Sequence, residues 1–204
     1  MYERRALRRN PADQESQDSG NPMKRYEVLE SLPTYGPMYV PIAEDGEPFY
    51  SEGVPVRFYR SDGTDWTANF QPGWTDLTRV VELQNTSNLL VIASGTCYLI
   101  DPNYTKPISV FGVGYCDVIQ ASNNRLVLQN QTDLTIIEPD GTYWHTERIS
   151  LDGLADIRVE NSVVSGRAYD FDERVEFTYD LDTKTLTGGC YLGIDRNKPW
   201  WKIW

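Results

Sequence analysis

Two segments of this chain spell the same turn. "RSDGTDW" (Arg60–Trp66) and "EPDGTYW" (Glu138–Trp144) share Asp-Gly-Thr-x-Trp. Gly reaches positive φ without steric cost and Asp tolerates it, so Asp-Gly between strand-like runs marks a tight hairpin. Thr then re-enters the sheet and the aromatic residue begins to pack. Related chemistry stands at "YLIDPNYTKP" (98–107) and "TYDLDTKTL" (178–186). Asp62, Asn103, Asp140 and Asp182 thus recur about every 40 residues, a period that belongs to propeller blades and other β-repeat arrays.

Upstream of the middle pair the match continues. "NLLVIASGTCYLIDPN" (88–103) lies over "NRLVLQNQTDLTIIEPD" (124–140) with one extra residue in the hairpin. The clearest strand is "VEFTYDL" (175–181), where Val175, Phe177, Tyr179 and Leu181 point one way and Glu176, Thr178 and Asp180 the other. That is period two, one face buried and one wet. Short runs also occur at "VRFY" (56–59), "LLVIA" (89–93), "TCYLI" (96–100), "PISVF" (107–111), "RLVLQ" (125–129), "LTIIE" (134–138) and "IRVE" (157–160). No stretch sustains a helical apolar period. The expected fold is all-β, a propeller-like array of about four antiparallel β-repeat units, each too small to bury its apolar side without a neighbour. A β-sandwich or an open β-roll is the alternative, because turn signals at regular spacing occur in any β-rich chain. The Gly-His and Trp-Asp pair of WD40 blades is absent.

Residues 1–22 read as a disordered N-terminal tail. "NPADQESQDSGNP" (10–22) is polar and lacks apolar periodicity, so it cannot offset the entropy of ordering. A single all-β repeat domain is expected over 23–204. The longest apolar run, "NLLVIASGTCYLI" (88–100), is broken by Ser94-Gly95 and is too short for a membrane helix. No apolar stretch follows the basic N-terminus, so no secretory signal and no membrane partner are expected. Cys97, Cys116 and Cys190 are odd in number and unpaired in spacing, which points to free thiols and a cytoplasmic location.

The formal net charge is −11. Arg4, Arg5, Arg8 and Arg9 in the tail are cancelled by Glu3, Asp13, Glu15 and Asp18, so the body carries the whole excess. Such a surface repels phosphate backbones, which argues against nucleic acid. It speeds encounter with a basic protein partner, and it also simply aids solubility.

The catalytic inventory is thin. His145 is the only histidine and the cysteines are scattered, so no metal, no cofactor and no catalytic set are expected. Asp180 and Asp182 in "DLDTK" (180–184) suit a hairpin cap. Asp76, Asp101, Asp117, Asp133 and Asp170 remain open to a hydrolase built on paired carboxylates, but no spacing singles out a pair. Trp66, Trp74, Tyr143 and Trp144 sit beside turns, followed by His145. These are the candidate binding residues, because Trp and Tyr dominate recognition hot spots; the other reading places them over the sheet ends as core. The C-terminal "KPWWKIW" (198–204) either closes the last unit against the first or docks elsewhere.

"GRAYDFDERVEFTYDLDTKTLTGGCY" (166–191) resembles the C-terminal stretch of a family of uncharacterised bacterial all-β proteins. Those proteins likewise end in an Ala-Tyr-Asp segment, an acidic hairpin and Gly-Gly. "PGWTDL" (72–77) and "HTERISLDGL" (145–154) extend the resemblance over about Met23–Tyr191. It implies a bacterial, non-secreted protein and supplies no activity. The functional expectation is a non-enzymatic binding protein whose acidic surface neutralises or scaffolds a basic protein partner, an immunity-type role being one concrete version. The alternatives are a carbohydrate-active hydrolase using paired carboxylates and a structural subunit of a larger assembly. The oligomeric state stays open.

Overall fold

Side chains alternate across a strand, so a strand buried on both faces needs an unbroken apolar run while a half-wet one alternates. Both kinds occur here, and they mark position in the array. The computed structural model describes residues 24–49, 51–171 and 173–191. The expected tail and the "KPWWKIW" end lie outside the described residues. Among the described residues there are sixteen strands, one 3-10 turn at Ser122–Asn124 and no α-helix.

The strands form four sheets of four. The first holds β1 (Tyr26–Val28), β2 (Val40–Ile42), β3 (Val54–Tyr59) and β4 (Asp65–Phe70). The second holds β5 (Arg79–Glu82), β6 (Leu89–Ala93), β7 (Thr96–Ile100) and β8 (Ser109–Phe111). The third is β9 (Asp117–Gln120), β10 (Leu126–Gln129), β11 (Leu134–Ile137) and β12 (Tyr143–His145). The fourth is β13 (Gly153–Glu160), β14 (Val163–Asp170), β15 (Glu173–Asp180) and β16 (Thr185–Gly188). Sheets two, three and four are antiparallel meanders in chain order, so the expected propeller-like array is present. The first sheet departs from it. Its order is β1-β3-β4-β2, and β2 runs parallel to β4, with Val40 opposite Ala68 and Ile42 opposite Phe70. Parallel pairing needs a crossover rather than a tight turn, which is why this unit is longer than the others.

Three buried clusters hold the sheets together, each shared by consecutive units. In β6, Leu89, Val91 and Ala93 face the first sheet, while Leu90 and Ile92 face the third. In β7, Tyr98 and Ile100 face one way and Cys97 and Leu99 the other. The third sheet repeats the scheme, with Leu126, Leu128 and Ile137 toward the second sheet and Val127, Leu134 and Ile136 toward the fourth. The end sheets differ. On the fourth, Arg158, Arg167, Glu176 and Thr178 lie exposed on the outward face. On the first, Arg57 sits 3.8 Å from Glu27 and 3.6 Å from Asp65 across the outer face. Polar outer faces are what terminal units of a repeat array need. No buried apolar cluster joins the fourth sheet to the first among the described residues.

The repeated spelling is a repeated turn. Gly63 and Gly141 stand at φ +84° and +90°, a region that L side chains rarely adopt. Asp62 Oδ1 accepts the N–H and hydroxyl of Thr64 at 2.9 and 2.6 Å; Asp140 Oδ1 takes the same pair from Thr142 at 2.9 and 2.7 Å. Asp101 likewise accepts the Asn103 N–H, and Asp180 accepts those of Asp182 and Thr183. Asp182 does something else: together with Glu138 it holds Arg125, tying the fourth sheet to the third. Neighbouring turns also interlock. Ser61 donates its N–H and hydroxyl to Asn103 Oδ1 at 3.0 and 2.9 Å, and the Asn85 N–H reaches Pro139 O at 3.3 Å.

The two kinds of strand respond differently to truncation. Leu89→Ala and Leu90→Ala, adjacent and pointing to opposite cores, should each cost about 2–5 kcal/mol. In β15, Phe177→Ala should cost about 3–5 kcal/mol while Glu176→Ala stays within about 0.5 kcal/mol. Urea unfolding of the four variants measures this; equal losses at 176 and 177, or a silent Leu89 or Leu90, contradict the layering.

Candidate binding interface

The crossover that makes the first sheet unusual also concentrates charge. From Tyr26 to Val56 the chain carries Glu27, Glu30, Glu44, Asp45, Glu47 and Glu52 and neither Lys nor Arg. Parallel docking of β2 brings the part of this segment around Glu44 and Asp45 beside β8, the edge strand of the second sheet. A cleft of about 480 Å³ runs between them. Val40, Ile42, Pro107 and Val110 form apolar walls, Glu44 and Asp45 supply carboxylates, and Lys106 is the single cation among its lining residues. Asp45 Oδ1 accepts the Glu47 N–H at 2.9 Å, which fixes the turn. The two acids make themselves felt in the core: burial pushes the Tyr98 phenol up, and Glu44 and Asp45 push it further. Farther along the crossover, Tyr35 and Met38 stand 91% and 84% exposed.

The sequence-derived candidates fall elsewhere, and into separate cores. Trp66 belongs to the first cluster; its Nε1–H donates to Pro102 O at 2.8 Å and its ring lies 5.0 Å from Phe58. Tyr143 is half-buried against the second cluster, stacked on Phe111 at 4.0 Å. Trp144, next in β12, points to the third cluster, with Tyr179 at 5.8 Å and the Lys184 ammonium 4.4 Å from its ring. His145 is exposed; its Nδ1 lies 2.7 Å from Thr135 Oγ1, which is 2.7 Å from the buried Tyr115 hydroxyl. Trp74 stands 84% exposed on the loop before β5. Only Tyr143 and His145 meet, edge to face at 5.7 Å.

The carboxylates act mainly as turn and ion-pair groups. Asp101 accepts from Asn103 and from the Ser87 hydroxyl, Asp117 from the Val118 N–H and Asp133 from the Thr132 hydroxyl. Those that depart from the ordinary range all move down. Hydrogen bonds from Lys24 and Tyr59 lower Glu27, the Thr64 and Thr142 hydroxyls and N–H groups lower Asp62 and Asp140, backbone N–H groups lower Asp180, and Arg125 lowers Asp182. A glycosidase general acid needs the opposite shift. Burial pushes the Cys97 and Cys116 thiols up, away from the thiolate that a nucleophile requires. Among the described residues no group of three His, Cys, Asp or Glu is placed to hold a metal, and no helix is long and apolar enough to cross a membrane.

Comparison with protein-family models and with curated proteins finds no match. The resemblance drawn from the C-terminal hairpin therefore carries no family assignment, and function rests on geometry. The net charge of the body, on which the sequence reading rested, missed the acid-only block, which was nonetheless readable in the charge pattern. The cleft beside it was not, because nothing local to "VPI" (40–42) says that it crosses to the far edge of its sheet.

Asp140 binds its proton more weakly folded than unfolded. Its contribution to stability is therefore complete above the ordinary carboxylate range and is lost as pH falls through it. Asp140→Asn should flatten the loss of stability between about pH 5 and pH 2 relative to the native chain. Urea midpoints at stepped pH give the comparison, and superimposable acid limbs would remove Asp140 from the account.

Proposed function

We propose that the chain is a non-catalytic binding protein that holds a basic protein partner against the acidic crossover of its first sheet. The observation that carries this reading is the acid-only segment between Glu27 and Glu52, whose Glu44 and Asp45 line an apolar-walled cleft and whose Tyr35 and Met38 stand exposed. Opposite charge steers encounter and selects the partner; apolar contacts slow its release. An immunity-type role in a bacterial cytoplasm, covering the working surface of a cationic toxin or enzyme, suits this combination. The lowered carboxylates are poor general acids and the raised Cys97 thiol is a poor nucleophile, which favours binding over those two kinds of catalysis.

Capture of proteins from a bacterial lysate at low salt, by the native chain and by a Glu44→Gln/Asp45→Asn/Glu47→Gln variant, tests the reading. Native chain should retain basic proteins that elute as salt rises, and the variant should lose them while its Tm is maintained. A native chain that retains no basic protein, or a variant that retains the same set, overturns it.

A further inference from the structure

The opposite flank of β8 carries a second cleft of different chemistry. About 400 Å³ in volume, it lies between the second and third sheets. Asn88, Ile108 and Ser109 line it from one side, and Asp140, Thr142 and Tyr143 from the other. Leu99 contributes an apolar surface, and no cation is among its lining residues. Its polar groups are unspent. Ser109 Oγ is buried with no hydrogen-bond partner among the described residues. The Asn88 side-chain amide and the Tyr143 hydroxyl make no hydrogen bond among the described residues, and Asp140 uses only Oδ1, on Thr142. Native proteins rarely leave a buried hydroxyl unpaired, and one that is left so calls for an explanation.

We propose that this cleft binds a neutral sugar unit. The donor set favours it over the other classes. An apolar ligand would cover the Asn88 amide and the Tyr143 hydroxyl without pairing either. A phosphorylated or other anionic ligand would meet the Asp140 carboxylate with no cation to offset it. A cation would find one half-occupied carboxylate, beside a serine, an amide and a phenol. A pyranose offers what the cleft lacks: hydroxyls that both donate and accept for Ser109, Asn88, Asp140 and Tyr143, and C–H faces for Ile108, Leu99 and the Tyr143 ring. Ser109 Oγ is buried in the wall of the cleft, so it reaches a bound sugar only from another staggered position about χ1. Asp140 is the single carboxylate among the lining residues, whereas glycoside hydrolysis takes two acting together. The site therefore holds a sugar without cleaving it. This site is independent of the acidic cleft, whose walls come from the other flank of β8.

Ligand-observed saturation-transfer NMR and calorimetry with glucose, galactose, mannose and N-acetylglucosamine test the proposal on the full chain. At least one sugar should bind saturably. Ser109→Ala and Asn88→Ala should each weaken that sugar about tenfold. Ser109→Ala should keep or raise Tm, because the hydroxyl it removes has no partner among the described residues, so weaker binding cannot be put down to unfolding. The Glu44→Gln/Asp45→Asn/Glu47→Gln variant should bind the same sugar unchanged, which separates this site from the proposed protein interface. Absence of saturable binding across the panel, or full affinity in both Ser109→Ala and Asn88→Ala, overturns the proposal.

Discussion

Everything in this fold depends on shared burial: no sheet here shelters its own apolar side chains. Leu89 and Leu90 are consecutive residues of one strand, yet they belong to different cores, each completed by a different neighbouring sheet. The second and third sheets are thus committed on both faces, and their hydrophobic stabilisation exists only in the stack. Among the described residues, the two ends of the array turn polar chemistry outward. Arg57 between Glu27 and Asp65 at one end, and Arg158, Arg167, Glu176 and Thr178 at the other, present groups that water solvates well.

The same arrangement sets where recognition can occur. Faces of interior sheets are spent on packing, so free surface is left at the turns, at the two outer faces and along the strand edges. Edge strand β8 separates two clefts whose chemistry differs because different neighbours line them. Toward the first sheet it meets the acid-only crossover; toward the third it meets the Asp140 turn. That turn shows how structure and recognition share atoms. Its Oδ1 is committed to Thr142, which shapes the loop, and its second oxygen, without a hydrogen bond among the described residues, is the one that the proposed sugar site would use.

Interior strands were the most legible part of the chain. "LLVIA", "TCYLI", "RLVLQ" and "LTIIE" correspond to β6, β7, β10 and β11, and their unbroken apolar character is the mark of burial on both faces. "VEFTYDL" announced the half-wet β15 equally well. Most edge strands, among them β1, β2, β5 and β16, escaped notice because they are short and their extended state comes from a pairing partner. Two central strands were obscured by polar residues with structural duties. In β4, Asn69 is fully buried and satisfied by the Gly53 N–H at 2.8 Å and Ser51 O at 3.0 Å. In β14, Gly166 leaves room for the Ile157 side chain below it. The aromatic candidates illustrate a related blindness: Trp66 and Trp144 have the same local spelling, yet the first is sealed in a core and the second half-covered by a lysine.

By itself the sequence determined the all-β class, the recurring Asx turns, the number of units and the acid-only block, because each is written in neighbouring residues through periodicity, turn geometry or charge. Tertiary structure alone decided that β2 crosses to pair parallel with β4, that β8 stands between two unlike clefts, and that Ser109 Oγ is buried without a partner among the described residues. Those outcomes depend on which distant strand a short segment meets, and a local pattern carries no record of that choice.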